Sequence, residues 1–151
     1  MLKKLVWLSM IVIAAVSQRA ESGVMAAQIP DPGFAAGQIW SIKSSLPTTA
    51  KVIIDRIEPW HKTVVVHVSI IDVPIPQGAP GAGGKTVIGH MPFEESALAA
   101  SVDQLLATGA SPASSFESGY KQWQDAMGGI FTVSVEKAIE FVLQTINRRQ
   151  G

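Results

Sequence analysis

The run from Thr63 to Val73 (TVVVHVSIIDV) constrains this chain more than any other segment. Branching at Cβ restricts χ1 and suits a pleated surface better than a helix. The run therefore predicts a strand. Side chains on a strand alternate between faces. Val64, Val66, Val68 and Ile70 form a wholly apolar set expected to face the core. Thr63, Val65, His67, Ser69 and Ile71 form the other, less apolar face.

Shorter runs flank it. Gln38–Lys43 (QIWSIK) and Lys51–Ile57 (KVIIDRI) read as strands, and the connection Glu58–Lys62 predicts an antiparallel hairpin into the strong strand. Pro74 to Lys85 (PIPQGAPGAGGK) is dense in proline and glycine and reads as a mobile surface loop. Thr86–His90 reads as a short fourth strand.

The second half has helical spacing. Leu98, Val102, Leu105 and Leu106 predict a helix over Glu94–Ala107, with Gly109 as its C-cap. Phe116, Tyr120, Trp123 and Met127 form one large aromatic face of a second helix. Ile130–Val133 reads as a brief strand. Ser134 caps a third helix with Val135, Ala138, Ile139, Val142, Leu143 and Ile146 on one stripe. Strands first and helices after is the α+β order. The expected architecture is an antiparallel sheet of four to five strands with three helices packed on one face.

The N-terminus predicts an address. Lys3 and Lys4 precede the apolar stretch Leu5–Val16, the layout of a secretory signal peptide. That stretch is too short for a spanning helix, which needs roughly 20 apolar residues. The reading is a signal peptide over 1–26, an α+β domain over 27–151 and a periplasmic or secreted product without a stable membrane anchor. The cleavage site is poorly marked: Ala15-Val16-Ser17 fits, and Val24-Met25-Ala26 fits loosely. The rival is translation from Met25, giving a cytoplasmic protein of immunity or inhibitor type. Without the charges of 1–26, 9 basic face 11 acidic residues, which argues against nucleic acid as a partner. There is no cysteine, so neither a disulfide nor a lipidated cysteine is used.

Five segments together resemble a family of small, uncharacterised bacterial proteins: Gly37-Gln38-Ile39-Trp40, Ile88 to Phe93 (IGHMPF), Ala97 to Val102 (ALAASV), Gly119 to Trp123 (GYKQW) and Gly129 to Val133 (GIFTV). The resemblance spans roughly Gly33 to Ile146. It implies a bacterial source and a one-domain fold, and brings no activity and no site residue. It also implies relatives that begin near Pro32-Gly33-Phe34 without an export leader, which makes the leader here a departure.

The residues that can carry chemistry are few. His67 lies on the less apolar face of the strong strand, His90 just past a short one, and His61 in a turn beside Trp60. If their strands pair, His67 and His90 meet, and with Asp55 or Asp72 they could hold zinc; no HxH or HExxH spacing supports this. Ser134-Val135-Glu136-Lys137 matches S-x-x-K but lacks that fold's partner motifs, and a helix cap explains Ser134. Gly81 to Thr86 fails the phosphate-loop pattern at Ala79.

The leading expectation is a non-catalytic binding domain with no cofactor, no metal and no assigned catalytic residue. Its partner is an unknown protein or a cell-envelope component. Its candidate binding residues are Trp60, His61, His67 and His90, beside the Pro/Gly loop. The competing class is a hydrolase or metal-dependent enzyme using His67 and His90 with a carboxylate. A third class, an assembly subunit, would show a large exposed apolar patch.

Overall fold

The structure, a computed structural model, describes residues 33–149. In chain order the elements are β1 (Ile39–Ile42), β2 (Lys51–Trp60), β3 (Thr63–Pro74), β4 (Lys85–Glu94), α1 (Glu95–Ser101), β5 (Val102–Ala107), α2 (Phe116–Asp125) and α3 (Val135–Arg149). Every strand pairing in the sheet is antiparallel and the order is β4-β3-β2-β1-β5. This is the α+β architecture that the sequence predicts, at five strands and three helices. Residues 1–26, with the signal peptide and its cleavage sites, lie outside the described residues.

The parity of β3 organises the interior. Val66, Val68 and Ile70 are fully buried with Val52 and Ile54 of β2 and Met91 and Phe93 of β4. Leu98 of α1 and Val135 and Ala138 of α3 cover them, forming the expected helical layer. α2, expected on that same face, lies instead against the other, where Phe116, Tyr120 and Trp123 form a second cluster with Trp60 and Ile130. An aromatic stripe that size must be removed from water, and the face carrying His67 receives it. Val65, His67 and Ser69 are therefore as buried as the valines opposite.

Two bulges decide what lies beneath α2. Across β2 and β3 the register runs Ile54↔Val68 and then Arg56↔His67, so Asp55 is an inserted residue. The insertion swaps parity: beyond it, Arg56, Glu58 and Trp60 share the face of His67 instead of the face of Val66. Across β3 and β4 the register runs Val68↔Met91 and then Ile70↔Ile88, so Gly89 and His90 together oppose Ser69. Both bulges flank the same stretch of β3.

Three local predictions are corrected. The helix expected over Glu94–Ala107 stops at Ser101 and continues as β5. The Ser101 carbonyl, which would accept the next helical N–H, is taken by Lys43 N–H at 2.8 Å, and Val102 turns extended with φ −100° and ψ 155°. Pairing with β1 outranks the intrinsic helix preference of the Asp103–Ala107 segment. The brief strand at Ile130–Val133 reduces to a bridge in which Phe131 N–H donates to Pro92 O and Phe131 O accepts from Glu94 N–H. Met127, expected on the buried stripe, lies beyond the end of α2 with φ 46° and is 86% exposed. The cap at Ser134 is present, with Lys137 N–H donating to Ser134 Oγ at 3.3 Å.

Candidate functional site

Beneath α2 three side chains from three strands form a hydrogen-bonded row. Glu58 Oε1 lies 3.0 Å from His67 Nε2, and His67 Nδ1 lies 2.9 Å from His90 Nε2. A carboxylate only accepts, which fixes the tautomers by elimination. His67 donates from Nε2 to Glu58 and accepts at Nδ1 from His90 Nε2–H. The lone pair of His90 is then left on Nδ1, which has no hydrogen-bond partner among the described residues.

α2 closes over this row. Tyr120 Oη is 3.1 Å from both Glu58 oxygens, and Gln124 Nε2 donates to Tyr120 Oη at 3.0 Å. The Tyr120 and Trp123 rings meet His67 edge-on at 5.0 and 4.7 Å, and Phe116 meets His90 at 5.6 Å. The Arg56 guanidinium lies over the Tyr120 ring at 4.1 Å and pairs with Glu117 at 3.4 Å. The helix can come this close because its contact residue is Gly119: a Cβ there would fall 2.6 Å from His90 Cβ.

Burial sets the protonation. It holds the His67 imidazole below its ordinary pKa, against the pull of Glu58. It lowers His90 to about 4, with the charges of His67 and Arg56 adding to the effect. Both rings are neutral at pH 7.

The four residues named from sequence are placed as follows. His67 and His90 meet, as pairing of their strands implies. His67 is 0% exposed and touches no solvent, whereas His90 is half-buried. Trp60 is half-buried at the end of β2, its ring 4.6 Å from that of Trp123. His61 is exposed in the two-residue turn with φ 51°. The carboxylate beside the histidines is Glu58, not Asp55 or Asp72. Asp72 pairs with Lys51 at 2.7 Å and Lys85 at 3.7 Å, and Asp55 binds Ser69. Among the described residues no group of three or more His, Asp or Glu is placed to hold a metal ion. Glu58 escapes a reading by parity because the Asp55 bulge carries it across the sheet. Gly89 within a strand pattern is the sequence signal that marks the other bulge.

Two further surfaces stand apart. The Pro/Gly loop is a chain of hydrogen-bonded turns that closes through Ile75 N–H to Gly84 O at 3.0 Å. With α3 it lines a cavity of about 190 Å³ bounded by Ile75, Pro80, Thr86, Leu143 and Ile146, below the size usual for ligand pockets. β5 is an edge strand whose residues 103–107 are all exposed, with Leu105 and Leu106 each at 47%. No helix among the described residues is long and apolar enough to cross a membrane. No protein-family model, curated protein or solved structure matches the chain.

Proposed function

We propose that the protein is a small non-catalytic interaction domain that engages a protein partner by strand addition at β5. The outer edge of β5, unpaired among the described residues, carries this reading. Sheet edges present backbone N–H and C=O groups that template pairing with another chain, and most proteins blunt them with charge, proline or a cover. β5 carries Leu105 and Leu106 at successive positions and a single charge, Asp103, along a pairing with β1 that shifts register twice. The matching partner is an extended apolar segment with a lysine or arginine to face Asp103. On the export reading that partner belongs to the cell envelope. The face of β3 that carries His67 is closed by α2, and Trp60 and His61, at the end of β2 far from its pairing with β1, lie apart from this edge.

The test compares proteins cross-linked to the wild-type chain and to Leu105→Lys and Leu106→Lys variants in extracts of the native host. Loss of one band set in both variants, with unchanged melting, supports the reading. Identical bands in all three sink it.

A hydrolase using His67 and His90 is the second reading, favoured by one observation. Glu58 and His67 orient His90 Nδ1 as a proton acceptor, the layout of a general base backed by a relay. Hydrolysis of p-nitrophenyl acetate that His90→Phe abolishes would support it, and equal rates in the two proteins would remove it.

A further inference from the structure

The segment 108–115, which leads from β5 to α2, crosses the sheet beside a hydrogen-bonded group separate from the histidine row. Ser69 Oγ lies 2.6 Å from Asp55 Oδ2 and 3.0 Å from Gly89 O, and Ala113 N–H donates to it across 3.3 Å. Ser69 is fully buried. Asp55 Oδ1 is buried with no hydrogen-bond partner among the described residues.

A serine hydroxyl has one proton to give and two lone pairs to receive. With Asp55 ionised, the carboxylate and Gly89 O compete for that one proton, and a charged oxygen stays bare in the interior. With Asp55 protonated, the donors and acceptors around Ser69 match, and the bare Oδ1 carries no charge. Asp55 donates to Ser69 Oγ, Ser69 donates to Gly89 O, and Ala113 N–H fills the second lone pair of Ser69 Oγ.

The surroundings of Asp55 push the same way. Glu117 of α2 repels a charge there, and burial is the larger effect; together they lift Asp55 to about 6 against the Ser69 hydroxyl and backbone N–H. Arg56, the next residue of β2, is turned to Glu117 and the Tyr120 ring. Glu58, on the same strand, is engaged by His67 and Tyr120. His67 of β3 and His90 of β4 are neutral, and residues 109–115 carry no ionisable side chain.

We propose that Asp55 is a proton-operated latch. As a carboxylic acid it fastens the Ala113–Ser115 segment to the sheet; when its proton leaves to solvent, that segment unfastens and α2 loosens above His67 and His90. Close packing makes the two events one. A Cβ on Gly89 would collide with Ser115 Oγ, so the segment lies in direct contact with the strand pair that carries this group.

The experiment follows the Asp55 carboxyl carbon by NMR from pH 4 to 7.5, together with hydrogen exchange at the Ala113 amide. Asp55 is expected to titrate near 6. Ala113 protection, corrected for intrinsic base catalysis, is expected to fall on the order of tenfold or more between pH 4 and 6 and to level off above it. In Asp55→Asn, which keeps the shape and the donor, protection stays constant. Titration in the ordinary carboxylate range overturns the proposal, as does protection that ignores the titration or an Asn variant that follows the wild type. The carboxyl titration uses the unaltered chain, so it stands even if the variant misfolds.

Discussion

His90 takes up a proton near pH 6.5 in the unfolded chain but near 4 in the folded one. The unfolded state therefore binds more protons between those values, and stability falls as pH drops from 6.5 to 4. His67, also lowered by burial, acts in the same direction. Asp55 does the reverse. Its pKa rises from 3.8 to about 6 on folding, so its stabilisation is complete below 3.8 and is lost as pH rises through 6. Between pH 4 and 6 the slopes of Asp55 and His90 oppose each other. Asp55→Asn removes one of them. Urea denaturation of that variant should show stability dropping by about 3 kcal/mol from pH 6.5 to 4, against a smaller change in the wild type. At pH 7.5 the variant should be the more stable of the two by about 1–3 kcal/mol. A variant that is less stable at pH 7.5 would show that the carboxyl is held ionised.

Elements meet through small contacts that the sequence hides. Gly119 inside α2 looks like a weak point, since alanine ordinarily strengthens a helix by about 1 kcal/mol. Here Gly119→Ala should lower the melting temperature, because the added methyl meets His90 Cβ at 2.6 Å. Thermal unfolding by circular dichroism reads the sign directly. Ser101 is a second joint: its hydroxyl donates to Ala97 O at 2.7 Å and accepts from Val135 N–H at 3.1 Å, tying α1 to α3. Ser101→Ala should cost about 1–3 kcal/mol in urea denaturation, since a buried N–H is left unpaired.

The elements with strong local signals were legible in the sequence. β3 declares itself by β-branched residues, α2 by its aromatic spacing and α3 by its stripe and Ser134 cap. β5 was not legible, because its extended form depends on β1, a partner distant in sequence that no local periodicity reveals. The meeting of His67 and His90 followed from strand pairing. The choice of Glu58 did not, because one inserted residue at Asp55 leaves no compositional mark yet reverses every side chain beyond it.

Across the whole molecule, the two faces of the sheet differ in depth. The side under α1 and α3 buries aliphatic residues from β2, β3, β4 and both helices. The side under α2 rests on Phe116, Tyr120, Trp123 and the row of polar groups beneath them. Local opening follows the smaller apolar contact. Backbone amides of α2 should exchange well before those of β2 and β3 in hydrogen–deuterium exchange by mass spectrometry. Exchange of α2 in step with β3 would mean that the sheet and its aromatic roof open as one unit.

The indole rings of Trp60 and Trp123, 4.6 Å apart and inclined by 44°, have an optical consequence. Two chromophores that close couple their transitions, so the native fold carries its own exciton signature in the ultraviolet. Among the described residues the remaining tryptophan, Trp40, lies apart, against Phe34 in the aliphatic core. The couplet therefore reports on the seating of a single helix, and its disappearance on mild alkalinisation would let the motion of α2 be watched without a label.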